Sequence, residues 1–595
     1  MKRRHFLRCS LGTVLLLAGC NASSAPDAPR SCPVVLERSE AFSADRYALS
    51  VPEGGRAVFR LLPADGYTLT GADDPDAELV RTSEGYTLTL PQVRYATAVS
   101  VIGVRSKAHL YYNPNGGQFL SGDPAQTWTE VPVTPSHLRW NTEPDGTLFV
   151  RTGYTLTGWN TAADGSGTAV GLGSRTAPES RLYAQWAQWN PAEEFCFEPS
   201  GSGVTITGWS GNSAKLVIPA QLDGLPVTGI AAGAFAGAPC TEVIFPVSLR
   251  AVAPGAFTGS AVRQITLFDA LRDITDYAFE GCAALHTLHI NAARAPVYSG
   301  SYQSSWADKY DRLCSLTGEK KLVLFSGSSA RFGYDSEALE AAFPPYRVAN
   351  IGVFAYTNAL PLLDLTAEVL TEGDILLLSP EFDAAKRQFC TTNALDEVFF
   401  SMMEADYDTA ARLDLQRYSA VFSALGSYLK TSAAMSSRSY ALSPADFDED
   451  GNPVDTPSYN EQGDYILYRP DAADDQPIYG LGVEYTVGAF PQSYLDAANA
   501  AWTPLVRRGV QVYLTYSPRN RLAVSADTTP ESIAALDAYL RQGLEIPVIS
   551  PLAQSLLPGR YFYGTDNHLS THGVVLRTEQ VIADLHAQRK KEGRE

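Results

Sequence analysis

Cysteine, lysine and long apolar runs are all scarce in this 595-residue chain, and each scarcity excludes something. Of eight cysteines none forms a CxxC pair, so a thiolate zinc site is not expected, and no metal or cofactor is assigned. Cys32, Cys196, Cys240, Cys282, Cys314 and Cys390 are widely scattered and specify no disulfide pairing. Cys240 and Cys282 fall where small buried apolar residues would sit. Basic residues number 46 against 65 acidic ones, a formal net charge of -19. A surface this acidic repels phosphates instead of releasing their counterions, so nucleic acid is excluded as a partner. Beyond the N-terminus no segment approaches about 18 consecutive apolar residues, which excludes a conventional membrane-spanning helix. What is present is many tyrosines and only 19% charged residues, the composition of a folded extracellular protein.

The first twenty residues, MKRRHFLRCSLGTVLLLAGC, have a basic start at Lys2, Arg3, Arg4 and Arg8 and a short apolar core from Leu11 to Leu17. Leu17-Ala18-Gly19-Cys20 resembles the lipobox of bacterial lipoproteins. That resemblance implies a signal peptide over 1–19, a diacylglycerol on the Cys20 thiol, and a flexible tether over 20–35. Cleavage would remove four basic side chains, leaving a charge of about -23. The expected partner is then a membrane, held through the lipid, with the chain on its extracellular face.

Composition shifts divide the remainder into four segments. Residues 36–107 alternate apolar and polar residues between Gly and Asp turns, as in RAVFRLL and GYTLTLPQV, which predicts a small antiparallel sheet module. Over 108–190, Asn115-Gly116-Gly117 and Asp164-Gly165 offer turns that need positive φ. Tyr112, Tyr154, Trp159, Tyr183 and Trp186 offer a small aromatic core. YYNPNGGQF, GYTLTGWNTAADGSGT and LYAQW resemble the Listeria–Bacteroides repeat, a β-grasp-like module of Gram-positive surface proteins, which implies a spacer or adhesive unit. Over 196–297 the pairs Ala234-Phe235, Ala256-Phe257 and Ala278-Phe279 recur every 22 residues, in step with Ile230, Val252, Ile274 and with Gly237, Gly259, Gly281. A fixed period of this length means stacked units, each closing its neighbour's hydrophobic face. The phrases resemble BspA-like leucine-rich repeats, implying either a rigid spacer or a recognition face for a host or surface ligand.

From 300 to 595 apolar strands alternate with amphipathic helices. KLVLF, YRVANIGV, DILLLSPEF, GVQVYLTYSP and EIPVIS read as strands, while SEALEAAF (capped by Asp335 or Ser336), ALPLLDLTAEVLTEG, SIAALDAYLRQ and TEQVIADLHAQRK read as helices. The pattern predicts a three-layer α/β/α domain around a parallel sheet, with its chemistry at the strand carboxyl ends. Three strand ends carry suggestive residues: Ser326-Gly327-Ser328-Ser329, Asn350-Ile351-Gly352, and a late loop holding Asp566, His568 and His572. Since His586 lies on the terminal helix, that loop must supply any general base.

These blocks resemble the SGNH (GDSL-like) hydrolase superfamily over roughly 318–590, a flavodoxin-like sandwich. The resemblance implies Ser328 as nucleophile, His568 as base, and Gly352 and Ser329 as oxyanion or substrate contacts; its acid falls three residues before the histidine, where this chain has Thr565, so Asp566, two before, is the carboxylate offered to orient the ring. Glu381 stands where that family has a donor asparagine, and as a carboxylate it is a substrate contact, an ion-pair partner or a group held neutral by burial. The implied activity is a serine esterase or deacylase of the carboxylesterase or acetylesterase class, acting on acylated glycans or envelope polymers. An O-acyltransferase of the envelope and a non-catalytic adhesion lipoprotein with a degenerate hydrolase domain are the alternatives.

Overall fold

The computed structural model describes residues 31–39, 41–64, 67–82, 85–105, 108–119, 129–133, 149–176, 180–294, 296–298, 302–353, 355, 357–382, 392–435, 460–478 and 482–594. The signal segment, Cys20 and Cys390 lie outside them. Among the described residues no helix is long and apolar enough to cross a membrane, and no cluster of acidic, histidine and cysteine side chains could hold a metal.

The chain forms two compact units. The first is built mostly of antiparallel strands. In Gly55–Pro63, the buried Ala57, Phe59 and Leu61 alternate with outward residues, and the strand pairs with Gly85–Val93, Phe59 opposite Leu88. The period-2 pattern read in RAVFRLL is thus the packing pattern. The expected tether ends earlier than residue 35: Ser31–Leu36 is a strand, paired with Ala48–Pro52 and Thr97–Val99. The reason is the same alternation, which turns Cys32, Val34 and Leu36 into the core.

The second unit holds three parts. In the first, Tyr154–Asn160 pairs with Arg181–Gln188, Leu156 opposite Trp186, over the fully buried Trp159, which meets Phe149 edge-on at 5.3 Å. Asn115, Gly116 and Gly165 take φ of 45°, 86° and 80°, the left-handed turns that their sequence announced. Next come the repeats. Lys215–Val217, Glu242–Ile244, Gln264–Phe268 and Thr287–Asn291 form a parallel ladder with Leu216, Val243, Ile265 and Leu288 in register. The 22-residue phenylalanines stack: Phe235 on Phe257 at 4.8 Å and Phe257 on Phe279 at 5.2 Å. Gly237, Gly259 and Gly281 repeat a φ of 66°, 66° and 74°.

The third part is a parallel sheet in the order Arg347–Asn350, Lys321–Phe325, Ile375–Leu378, Gln511–Leu514. Alternate strand residues serve opposite faces. Leu322, Leu324, Val348, Ile375 and Leu377 pack with Leu339 of α3 (Ser336–Ala342) and with Val581 and Leu585 of α10 (Thr571–Lys591). Val323, Phe325, Leu376 and Leu378 face the opposite layer, which includes α1 (Ser305–Ser315), α4 (Ala359–Val369) and α8 (Gln492–Arg507). Asp335 caps α3 by accepting from the Ala338 N–H at 3.0 Å. EIPVIS, expected as a strand, makes only one bridge, Val548 to Leu514. Pro547 has no N–H for the ladder and Pro551 follows closely, so the segment stops at two backbone bonds.

Repeats and sheet share one core. Phe279 continues its stack onto Phe422 at 4.4 Å, on α7 (Val421–Ala434). Asp276 accepts from the Phe422 and Ser423 N–H groups at 2.9 and 3.2 Å, and a Cβ on Gly426 would lie 2.4 Å from the Ile274 carbonyl. The last repeat turn is therefore sealed by the α/β region, as a terminal repeat requires.

Candidate active site

The Lys321–Phe325 strand ends in Ser326-Gly327, and Ser328 opens the four-residue helix α2 (Ser328–Arg331). Gly327 is required there: a Cβ would lie 2.5 Å from Ala355 Cβ and 2.7 Å from a Glu381 oxygen. Beneath the turn, three buried hydroxyls knit neighbouring strand ends together. Ser329 Oγ lies 3.1 Å from Ser326 Oγ and 2.9 Å from Ser517 Oγ, and both Ser326 and Ser517 donate to the Ser379 carbonyl. Ser328 itself is 9% exposed, at the rim.

Across 240 positions, His568 Nε2 stands 2.7 Å from Ser328 Oγ. The imidazole is placed by its loop. Thr565 Oγ1 accepts from the N–H groups of Asn567 and His568 at 3.2 and 3.0 Å, and the Tyr563 N–H donates to the His568 carbonyl at 2.9 Å. Phe332 stacks on the ring at 4.1 Å. Asp566, expected as the orienting acid, is buried with Oδ1 accepting from the Ile478 N–H at 2.9 Å and Asn520 Nδ2 at 3.1 Å. These bonds fasten the loop to the 478 and 520 segments. His572 lies outside the pair, exposed, with Nδ1 3.1 Å from Asp471 Oδ2.

Glu381 bridges the two halves. Oε1 accepts the Ser329 N–H at 3.0 Å and Oε2 accepts from Asn567 Nδ2 at 3.1 Å, while Asn567 Oδ1 accepts from Arg519 Nη1 at 2.9 Å. This buried carboxylate clamps the serine turn to the histidine loop and meets a cation through one amide.

The expected N–H donors are engaged. Ser329 is buried and gives its N–H to Glu381. Gly352 gives its N–H to Asn350 Oδ1 at 2.9 Å. The glycine is nonetheless needed, because a Cβ would lie 2.4 Å from the Arg331 backbone nitrogen. A buried polar knot fixes this strand end. Lys309 Nζ donates to the carbonyls of Asn350, Gly352 and Gly463 at 3.1, 2.6 and 2.7 Å. Asp464 accepts from Asn350 Nδ2 at 2.8 Å and from the Ser336 N–H and hydroxyl, each at 2.7 Å. Burial drives the Lys309 ammonium well below its ordinary range and the Asp464 carboxyl above its own.

Sequence reasoning missed the aromatic and cationic wall. Arg331 and Arg469 are almost fully buried, with the Arg331 guanidinium 4.3 Å from the Tyr302 ring centre and 5.5 Å from that of Phe332. The Tyr302 hydroxyl donates to the Val353 carbonyl at 3.4 Å, and burial pushes its phenol up to about 12. No local pattern marks Tyr302, because it sits in the connection between repeats and sheet.

Comparison with known proteins bears on the repeats. The family model described as BspA type leucine rich repeat region matches residues 225–308, in six copies. The match supports the BspA-like resemblance read in the repeats. Among solved structures, the crystal structure of a T. pallidum leucine-rich repeat protein aligns at 20% identity, covering 23% of this chain and 75% of that one, with a TM-score of 0.13. No curated protein matches the chain.

Proposed function

We propose that the α/β region is a serine-dependent acyl hydrolase or acyltransferase of the SGNH type, displayed at a cell surface. The observation that carries the reading is the 2.7 Å contact between Ser328 Oγ and His568 Nε2 at the carboxyl edge of a parallel sheet. A neutral imidazole accepts the hydroxyl proton as Oγ bonds to an ester carbonyl carbon, and the π pair moves onto the carbonyl oxygen. Collapse expels the alkoxide, which takes the proton from His568 and leaves an acyl-Ser328. Water or an acceptor sugar hydroxyl then reverses the sequence, releasing acid or transferring the acyl group. Full-length protein should turn over 4-nitrophenyl acetate, and Ser328→Ala should abolish that turnover. An unchanged rate in the variant would remove the hydrolase reading. Acylated glycans or envelope polymers are the substrates that fit a chain tethered through a lipid on Cys20. Incorporation of a fatty-acid analogue that is lost in Cys20→Ala tests the tether.

The repeat match favours a second, additional role in binding a protein or surface ligand. Binding of the Ser328→Ala protein to host cells or a glycan array supports it, and silence on both removes it.

A further inference from the structure

The 22-residue period carries one feature that core packing does not use. Arg250, Arg272 and Arg294 recur at that spacing, and the structure holds the first two in the same way. Arg250 Nη1 donates to the Val247 and Leu249 carbonyls at 2.8 and 3.0 Å. One period on, Arg272 Nη1 donates to the Asp269 and Leu271 carbonyls at 3.3 and 3.1 Å. The two residues lie on adjacent coils, because the Arg272 N–H donates to the Arg250 carbonyl at 2.8 Å and Ala251 bridges Asp273 in parallel. Neighbouring coils of such a ladder are about 4.8 Å apart. Two like-charged guanidinium groups therefore stand one above the other on the flank of the array.

Neither is neutralised. Among the described residues no carboxylate forms an ion pair with Arg250 or Arg272, whereas Arg294, third in the series, has Asp269 Oδ2 3.6 Å from its Nε. Asp269 is buried and accepts from the Ala293 N–H at 2.6 Å and the Tyr407 hydroxyl at 3.2 Å. Nη1 of each guanidinium serves carbonyls, which leaves Nε and Nη2 with no acceptor among the described residues. Arg250 is exposed and Arg272 half-buried, so these donors are within reach of a ligand. Burial pulls both groups below the ordinary guanidinium range, the mark of two charges partly dried without a counterion. A shared anion would relieve this, since each planar fork offers a carboxylate, phosphate or sulfate two parallel N–H bonds.

We propose that Arg250 and Arg272 form a subsite for the acidic groups of a polysaccharide. The assignment deepens the ligand-binding role of the repeats and rests on it. Net charge selects the kind of ligand. At -19 the protein repels a broad polyanion or an acidic protein face. A thin sugar chain with spaced acids can instead lie across two coils and meet the guanidinium pair, the remaining charges being screened beyond about 8 Å at physiological salt.

The test uses full-length Ser328→Ala protein, so that no polymer is turned over, on surfaces of hyaluronan, a teichoic acid and neutral dextran. Hyaluronan offers isolated carboxylates and teichoic acid offers phosphodiesters, so the two arms separate the sources of the anion. Binding to at least one acidic polymer and none to dextran is expected. It should weaken about threefold or more in Arg250→Gln or Arg272→Gln and at least about tenfold when the two are combined, with the thermal midpoint nearly unchanged. Arg263→Gln removes the same charge from an exposed position just before the Gln264–Phe268 strand and should leave affinity within about twofold. Undiminished affinity in the Arg250 and Arg272 variants, or an equal loss in Arg263→Gln, overturns the subsite while leaving repeat binding standing. Binding to host cells or neutral sugars with none to either acidic polymer does the same. No binding to any polymer or to host cells removes the binding role and this subsite together.

Discussion

The repeat array and the serine–histidine site are both built on parallel strand ends, yet they are encoded in opposite ways. In the array each turn copies the last, so Phe235, Phe257 and Phe279 meet because they share a period. At the site nothing repeats: Ser328, Glu381, Asn567 and His568 meet through bonds spanning 186 to 240 positions. Periodic structure is written by local physics, and each unit needs only its neighbour. A catalytic constellation depends on buried polar bonds that no neighbour in sequence announces. The comparison also shows where the repeats meet the α/β region, on the Phe279–Phe422 contact.

The largest effect is expected at the nucleophile. Ser328→Ala should cost at least about 10⁴-fold in kcat for an aryl ester with no change in thermal unfolding, measured by stopped assays and calorimetry on the same sample. Next in size is the array: Phe257→Ala should destabilise the protein by about 3–5 kcal/mol in urea titration. Because repeats and sheet share one core, fluorescence and circular dichroism should report a single transition for this second unit. Two separated transitions would mean that the repeats fold as an independent rod.

Glu381 sharpens the contrast. Glu381→Gln can still accept the Ser329 N–H, but its amide nitrogen then faces Asn567 Nδ2, whose own oxygen is held by Arg519. A donor meeting a donor should cost about 1–3 kcal/mol of stability and loosen the histidine loop. A fall in kcat of about tenfold with KM unchanged is the expected kinetic signature. Stability and kcat both equal to wild type would show that the clamp does nothing. The two kinds of glycine make a smaller test. Gly259→Ala meets open space at φ 66° and should cost about 1–2 kcal/mol from backbone strain alone. In Gly352→Ala the Cβ would lie 2.4 Å from the Arg331 nitrogen, so activity as well as stability should fall.

A further contrast concerns pH. Burial, with Asp408 and Asp311 nearby, raises the Asp406 carboxyl to about 7 from 3.8. The folded protein then binds a proton that the unfolded chain has released, so stability falls as pH rises from about 4 to 7 and levels off above. Asp406→Asn should flatten that slope in denaturant titrations across the range. An identical slope would assign the dependence to other groups.

How much could be read in advance follows from this contrast. The alternation in RAVFRLL, the 22-residue period, the turns at Asn115 and Gly165, and the Asp335 cap are local signals, and each gave its element. The apolar runs KLVLF and DILLLS marked buried parallel strands, whereas EIPVIS did not become one because Pro547 interrupts its ladder. Ser328 and His568 were legible because a strand-end serine and a loop histidine are conspicuous. Asp566 and Gly352 were equally conspicuous, but position near a strand end does not reveal a bond. The first has Oδ1 on Ile478 and Asn520, and the second gives its N–H to Asn350. Tyr302, Arg331 and the Lys309–Asp464 knot were illegible, since their meaning comes only from which segments the fold brings together.

The central claim is that the Ser328 hydroxyl is activated by the His568 imidazole. Its most direct measurement is site-resolved mass spectrometry of the full-length protein after brief exposure to a fluorophosphonate. The account predicts one phosphonyl adduct, on Ser328, formed in wild type and lost when His568 is replaced by alanine. A Ser328 left unmodified, or modified equally fast without His568, would contradict it.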